Sequence, residues 1–152
     1  MPGPLDEGPN TGLLMYIAYR EMDVRVLDTL NAAGFEVTLA QAKVFQRIGA
    51  EGSRLTDLAE QARVTKQTAG FLVDQLERAG YVERRPDPTD ARARHVCIAP
   101  RGMEAVQVAA GVVAEVEAAW TAHLGARDMQ QLRRSLIRLR EITDPYWQRD
   151  ED

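Results

Sequence analysis

The feature that most constrains the fold is the spacing of apolar residues in LTDLAEQARVTKQTAGFLVDQLERAG, residues 55–80. A helix-turn-helix needs small or apolar side chains where two short helices cross. Four residues have the spacing that such a crossing requires: Ala59, Val64, Ala69 and Leu72. Thr65 can cap the second helix through its hydroxyl, and Gly80 can end it. The pattern predicts a helix over about 55–61, a turn, and a helix over about 66–79.

The second of these helices exposes polar residues at its N-terminal end, where a helix-turn-helix meets the base edges of DNA. Gln67 can bind adenine through two hydrogen bonds, Thr68 can contact a thymine methyl, and Lys66 can reach guanine or phosphate. The candidate DNA contacts in this helix are Thr65, Lys66, Gln67, Thr68 and Phe71. Any capped amphipathic helix exposes polar residues at its start, so this pattern alone leaves DNA binding open.

Two β-compatible segments follow, over residues 81–85 and 94–98, and a polar segment with two prolines joins them. They predict a hairpin, or wing. An arginine at the tip of a wing can enter a narrow minor groove, whose negative potential attracts guanidinium groups. Three neighbouring arginines are suited to phosphate contacts, which position a protein on DNA without reading its sequence. These are Arg84, Arg85 and Arg94.

Three motifs carry a resemblance to a known family: LVDQLERAG at 72–80, DPTDARA at 87–93 and VCIAPRG at 96–102. Together they resemble the MarR family of winged helix-turn-helix regulators over about residues 36–102. The resemblance implies that Arg92 is the wing arginine and that Asp90 orients it. It also implies a two-fold dimer on a pseudo-palindromic operator, and repression is the usual outcome in this family.

The chain departs from the family pattern in four places. Arg63 stands in the turn where a small residue is usual, which predicts a slightly open turn. Phe71 and Ala91 occupy positions that are often basic, which predicts fewer charged contacts with DNA. Ala99 replaces the usual Thr cap of the next helix, and Pro100 partly compensates.

Helical periodicity continues on both sides of the winged segment. Further helices are predicted over about 11–33, 38–50, 100–124 and 127–142. The first and the last are apolar along one side and have no obvious partner within so small a body, so pairing with a second copy is the simplest way to bury them.

The predicted fold class is therefore mainly α with a small β-wing: a winged helix-turn-helix whose N- and C-terminal helices form a dimerisation region. The predicted division is a disordered tail (1–10), dimerisation helices (11–34 and 100–145), a DNA-binding lobe (35–99) and a C-terminal tail (146–152).

Charge is distributed in a way that suits this division. The whole chain has a net charge of -4, which does not by itself indicate a nucleic-acid binder. Between Arg63 and Arg94, however, the sequence has seven basic and five acidic residues, which gives this segment a net charge of +2. The rest of the chain therefore has a net charge of -6. Local rather than global positive charge is what phosphate binding requires.

Other function classes find little support in the sequence. It has no Ser/His/Asp grouping, no phosphate-cradling glycine loop and no paired metal ligands, so neither an enzyme nor a cofactor or metal is expected. No secretory signal and no apolar run long enough for a membrane span are present, which suggests a cytoplasmic protein. Cys97 has no resolving cysteine within the chain, which disfavours redox sensing. RNA is disfavoured because helix insertion suits the DNA major groove.

Two questions stay open at this stage. Tyr16, Tyr19 and Arg20 on the first helix are candidates to line a site for a small aromatic or lipophilic effector, since aromatic acids are frequent effectors in the family. Tyrosines on a long helix more often pack at an interface. The competing function is a winged-helix scaffold that makes protein contacts without specific DNA binding.

Overall fold

The computed structural model describes residues 8–146, which form six helices and three short strands. The elements are, in order, α1 (Thr11–Ala32), α2 (Leu39–Phe45), β1 (Ser53–Arg54), α3 (Leu55–Ala62), α4 (Lys66–Arg78), β2 (Val82–Pro86), β3 (Arg94–Ile98), α5 (Pro100–Leu124) and α6 (Ala126–Thr143). The predicted mainly α fold with a small antiparallel wing is confirmed. The chain divides into two compact units, before and after the Val112–Val113 bond.

Side-chain caps fix where three helices of the first unit, α1, α2 and α4, begin. The Asn10 side chain accepts a hydrogen bond from the Leu13 N–H at the start of α1. Thr38 forms a reciprocal capping box with Gln41 at the start of α2. The Thr65 hydroxyl accepts from the backbone of α4, as predicted. These bonds satisfy N–H groups that have no partner within the helix.

The region between α2 and α3 differs from the prediction. The second helix ends at Phe45 and does not reach residue 50. The chain then turns through Gly52, whose φ of +88° favours glycine, and Ser53 and Arg54 pair with β3 as an unpredicted strand. A Cβ at Gly52 would lie 2.7 Å from the Cys97 Sγ, so the turn also approaches the sheet closely.

The core of the first unit lies where α2, α3 and α4 meet the sheet. Its buried members are Leu30, Phe35, Val44, Ile48, Leu58, Leu72, Val73, Leu76, Tyr81, Val82, Val96 and Ala105. The Arg101 guanidinium covers one side of this core. It lies 5.0 Å from the Phe35 ring centre and 5.5 Å from that of Tyr81, and it donates a hydrogen bond to the Gly34 carbonyl.

The sheet is antiparallel with the strand order β1-β3-β2, so the returning strand of the wing is central. Val82 pairs with Ile98 at its base, and Pro86 pairs with Arg94 where the wing tip begins. After β3, the Ala99 N–H donates to the Tyr81 carbonyl and α5 begins.

The second unit consists of the end of α5 and the whole of α6, joined at Gly125. The predicted apolar stripe of the last helix is present and exposed, with Leu132, Leu136 and Leu139 each at least 40% exposed and Ile142 83% exposed. A cavity of about 360 Å³ opens between α5 and α6, with Trp120 and Met129 in its wall.

Some predictions fall at the ends of the chain. Of the predicted N-terminal tail, residues 1–7 lie outside the described part, and residues 8–10 lead directly into α1. Of the predicted C-terminal tail, only Tyr146 is described. Between residues 8 and 146, no helix combines the length and the apolar character that crossing a bilayer demands.

Candidate nucleic-acid interface

The crossing of α3 and α4 is as tight as the sequence pattern requires. Ala59 and Ala69 are buried at 5% and 0% exposure, so the two helices meet over small side chains. Arg63 ends α3 in the left-handed conformation, with φ of +57°, and the Val64 N–H then donates to the Ala59 carbonyl at 3.0 Å. The expected opening of the turn is therefore wrong, because Arg63 adopts a conformation disfavoured for its side chain and keeps the turn closed.

The N-terminal end of α4 presents a polar and aromatic outer surface. The residues Lys66, Gln67, Thr68 and Phe71 are all exposed, and they lie within one and a half helical turns. The Thr65 hydroxyl also donates to the Thr68 hydroxyl at 2.9 Å, which orients both. The structure thus brings together the five candidate contacts of this helix.

Arg84 is committed to the protein itself. Its Nη1 lies 2.8 Å from the Glu77 Oε1 and its Nη2 lies 2.7 Å from the Asp74 Oδ1, both on α4. Its backbone N–H donates to the Glu77 Oε2. These bonds tie β2 to α4, and the single positive charge of Arg84 offsets one of the two carboxylate charges beside the recognition surface. The phosphate contact expected of Arg84 stays a prediction. Sequence spacing gave no signal of this pairing.

The other three arginines of the wing are exposed, and they differ in their partners. The Arg85 guanidinium forms an ion pair with Glu83 on the same strand. Within residues 8–146, the guanidinium groups of Arg92 and Arg94 take part in no hydrogen bond or ion pair. The positive charge of these two side chains is therefore available to a polyanion.

Asp87 is the centre of a network of hydrogen bonds and ion pairs at the root of the wing, here called the Asp87 node. The sequence did not predict this network. The Oδ2 of Asp87 accepts from the Arg54 Nε at 2.9 Å and lies 3.0 Å from the His95 Nε2, and its Oδ1 accepts from the backbone N–H and hydroxyl of Thr89. Its N–H donates to the Ala93 carbonyl across the tip. The pKa of the buried Asp87 carboxyl lies well below its usual range. The hydrogen bond from the Thr89 N–H contributes most to this lowering, followed by that from the Thr89 hydroxyl and then by the Arg54 guanidinium.

This node joins β1, the wing and β3. His95 is one of its members, and its Nδ1 is buried without a hydrogen-bond partner among the described residues. The one local signal was Thr89, two residues after Asp87, a spacing typical of an Asx-turn.

Asp90 acts on the wing arginine through the backbone. Its Oδ1 accepts from the Arg92 N–H at 2.9 Å, and its carbonyl accepts from the Ala93 N–H. The carboxylate therefore shapes the turn from which Arg92 projects, and the guanidinium of Arg92 extends without being held by it.

The three effector candidates lie on the exposed first half of α1. The Tyr19 hydroxyl accepts a hydrogen bond from the Gln46 Nε2 at 3.3 Å, and partial burial raises the pKa of Tyr19. Burial also raises the pKa of the neighbouring Asp23 carboxyl. Tyr16 and Arg20 are exposed on the same helix, so the structure gives α1 a contact with the lobe at Tyr19 and an open surface beside it.

The part of the chain that carries the helix-turn-helix matches a known family. A model of the MarR family matches residues 35–93, which include the helix-turn-helix and most of the wing. No protein of curated function matches the chain.

Solved structures of similar fold extend over nearly the whole chain. A crystal structure of MarR is 25% identical, with 90% of this chain and 92% of that chain covered and a TM-score of 0.75. The regulator Tm0710 from Thermotoga maritima is 26% identical, with coverage of 90% and 94% and a TM-score of 0.61. MepR from S. aureus is 20% identical in two structures, one of a mutant bound to an oligodeoxyribonucleotide and one bound to ethidium bromide. Their TM-scores are 0.57 and 0.60, and they cover 86% and 88% of this chain and 96% of each MepR chain.

Proposed function

Since the chain belongs to the MarR family of winged helix-turn-helix transcriptional regulators, we propose that it is a homodimer that binds a pseudo-palindromic operator in double-stranded DNA and represses transcription. The members of this family regulate transcription and are not enzymes. The proposal places the protein in the cytoplasm, with DNA binding as its activity and no cofactor.

The observation that carries the proposal is the arrangement of the recognition helix and the wing. The start of α4 offers exposed side chains that suit the major groove, and Arg92 offers an uncommitted charge that suits the minor groove. Arg84 ties the first strand of the wing to α4, and Asp87 ties the wing tip to β1 and β3. Helix and wing are thus held together as one reading surface.

Dimerisation is supported by apolar surface that a single copy leaves exposed. Five large apolar residues in the first seven positions of α1 are exposed: Leu13, Leu14, Met15, Tyr16 and Ile17. The whole of α6 is exposed except for the partly buried Met129. Burial of these helices in a two-fold interface would place two recognition helices about one turn of DNA apart, roughly 34 Å.

Release by a ligand is the regulatory part of the proposal. The structures of MepR, which has a similar fold, include a mutant bound to an oligodeoxyribonucleotide and a complex with ethidium bromide, which supports a small aromatic or lipophilic effector here. We assign Tyr16, Tyr19 and Arg20 to the wall of its site. The ligand must bind the DNA-free state more tightly than the DNA-bound state, or the equilibrium does not shift. A titration of aromatic ligands that leaves DNA affinity unchanged would contradict this part alone.

The test of the function is selection of binding sites from a pool of random duplexes by the purified protein, followed by affinity against salt concentration. We expect a two-fold-symmetric site and a steep fall in affinity as salt rises. The Arg92→Gln variant should bind the selected site less tightly, and because Arg92 is exposed, this replacement should leave the core undisturbed. Recovery of no enriched sequence at any salt concentration would overturn the proposal and favour the protein-contact scaffold.

A further inference from the structure

We propose that Phe71 reads the methyl group of a thymine in each half of the operator, next to an adenine that Gln67 reads. This inference rests on the proposed function and adds to it a base preference, and therefore an A·T-containing core in each half-site.

The first observation is the exposure of Phe71. It is 58% exposed, whereas the next two residues of α4, Leu72 and Val73, are 7% and 0% exposed. The core side of the helix is therefore filled, and Phe71 points away from it. Transfer of an exposed aromatic ring from water to an apolar contact is favourable, so Phe71 would gain free energy if an apolar group of a ligand covered its ring.

The second observation is the place of Phe71 on the recognition helix. It lies four residues after Gln67 and three after Thr68, so the three side chains share one face of α4. This is the face that a helix-turn-helix presents to base edges. In the major groove, the thymine C5-methyl is the apolar feature of the base edges, and phenylalanine is among the side chains that contact it.

The third observation is the local charge. Asp74, three residues beyond Phe71, would repel DNA if its carboxylate were free. Arg84 binds that carboxylate at 2.7 Å and the Glu77 carboxylate at 2.8 Å, so its guanidinium offsets part of the negative charge beside the aromatic ring. The repulsion that Asp74 would exert on DNA near the ring is therefore reduced.

Thr68 also carries a methyl group that could contact thymine, but its hydroxyl is already bound to Thr65. Its rotamer is set by the helix cap and not by a ligand. Phe71 makes no such bond, has the larger apolar area and extends further from the helix axis. The geometry therefore favours Phe71 over Thr68 as the methyl reader.

The experiment starts from the selected operator and replaces its thymines with deoxyuridine, one symmetric pair of positions at a time. This removes one methyl group from each half-site and changes no hydrogen bond. The transfer free energy of one buried methyl corresponds to about a fourfold loss of affinity per half-site, or roughly fifteenfold for the dimer. We expect that loss at one pair of positions for the wild-type protein, measured by fluorescence anisotropy.

The Phe71→Ala variant decides the assignment. Its affinity for the thymine and deoxyuridine operators should be equal at that position, whereas the Thr68→Ala variant should still lose affinity. Phe71 is exposed, so an unchanged melting temperature verifies that the variant folds. If the deoxyuridine effect persists in Phe71→Ala, or if no thymine methyl matters, the inference is wrong while the proposed function stands. If no operator is selected at all, both fail.

Discussion

The contact between the start of α5 and the entry to the wing makes a sharp stability prediction. A Cβ added at Gly102 would lie 2.1 Å from the Tyr81 carbonyl oxygen and 3.0 Å from the Ile98 Cγ2. A carbon and an oxygen normally approach no closer than about 3.3 Å, so α5 must shift by more than 1 Å. The Ala99 N–H donates to the same carbonyl at 3.0 Å and would be pulled away from it.

The magnitude for Gly102→Ala follows from three terms. Overpacking costs about 1–3 kcal/mol, and the weakened hydrogen bond costs about 1 kcal/mol more. The higher helix propensity of alanine returns about 0.5–1 kcal/mol. The net loss is about 1–3.5 kcal/mol, which corresponds to a fall in melting temperature of roughly 2–14 °C for a chain of this size.

The matched control lies in the same helix. A Cβ at Gly111 would meet nothing within 4 Å, so Gly111→Ala should stabilise the protein by about 0.5–1 kcal/mol through helix propensity alone. Thermal and urea denaturation of both variants measure the difference. If Gly102→Ala melts at or above the wild-type temperature, the close approach of α5 to Tyr81 does not exist and the reasoning is refuted.

Three further predictions concern the wing and the dimer. Arg92→Gln should reduce the slope of log affinity against log salt by about two for the dimer, and an unchanged slope would show that Arg92 does not contact the DNA backbone or groove. The low folded-state pKa of Asp87 means that its charged form stabilises the fold fully above the unfolded pKa of about 3.9, and this stabilisation is lost as the pH falls further. The difference in melting temperature between wild type and Asp87→Asn should therefore be full near about pH 6 and shrink between about pH 4 and about pH 2, and a pH-independent difference would contradict the ionic role. Ile142→Glu should give a monomer in analytical ultracentrifugation while Gln130→Glu remains a dimer, and a dimeric Ile142→Glu would show that this end of α6 lies outside the interface.

The ends of several helices and strands could be predicted from the sequence because interactions between residues close in the chain determine them. The hydroxyl of Thr65 caps a helix that begins at the next residue, and α4 ends one residue before the predicted limit. The strand over residues 94–98 has the predicted bounds, and β2 is shifted by one residue. Periodicity and capping act over a few residues, so they can be recognised without knowing the tertiary structure.

The parts that were missed depend on contacts between distant residues. A strand of two residues, Ser53–Arg54, is too short to show any alternation. The Arg54–Asp87 pair joins residues 33 positions apart and exists only because β3 lies in the centre of the sheet. Arg84 could be recognised as basic, but its pairing with Asp74 depends on how β2 packs against α4. These interactions decide which charges remain available to DNA.

The separation between the residues proposed to read DNA and those that hold the lobe together has a consequence for divergence. Within residues 8–146, the side chains of Gln67, Phe71 and Arg92 take part in no hydrogen bond, ion pair or ring contact. Substitutions there should leave the free energy of unfolding nearly unchanged, because surface replacements outside such contacts usually cost less than about 0.5 kcal/mol. A lineage carrying this scaffold can therefore exchange one operator for another by single mutations, without first acquiring compensating changes in the core.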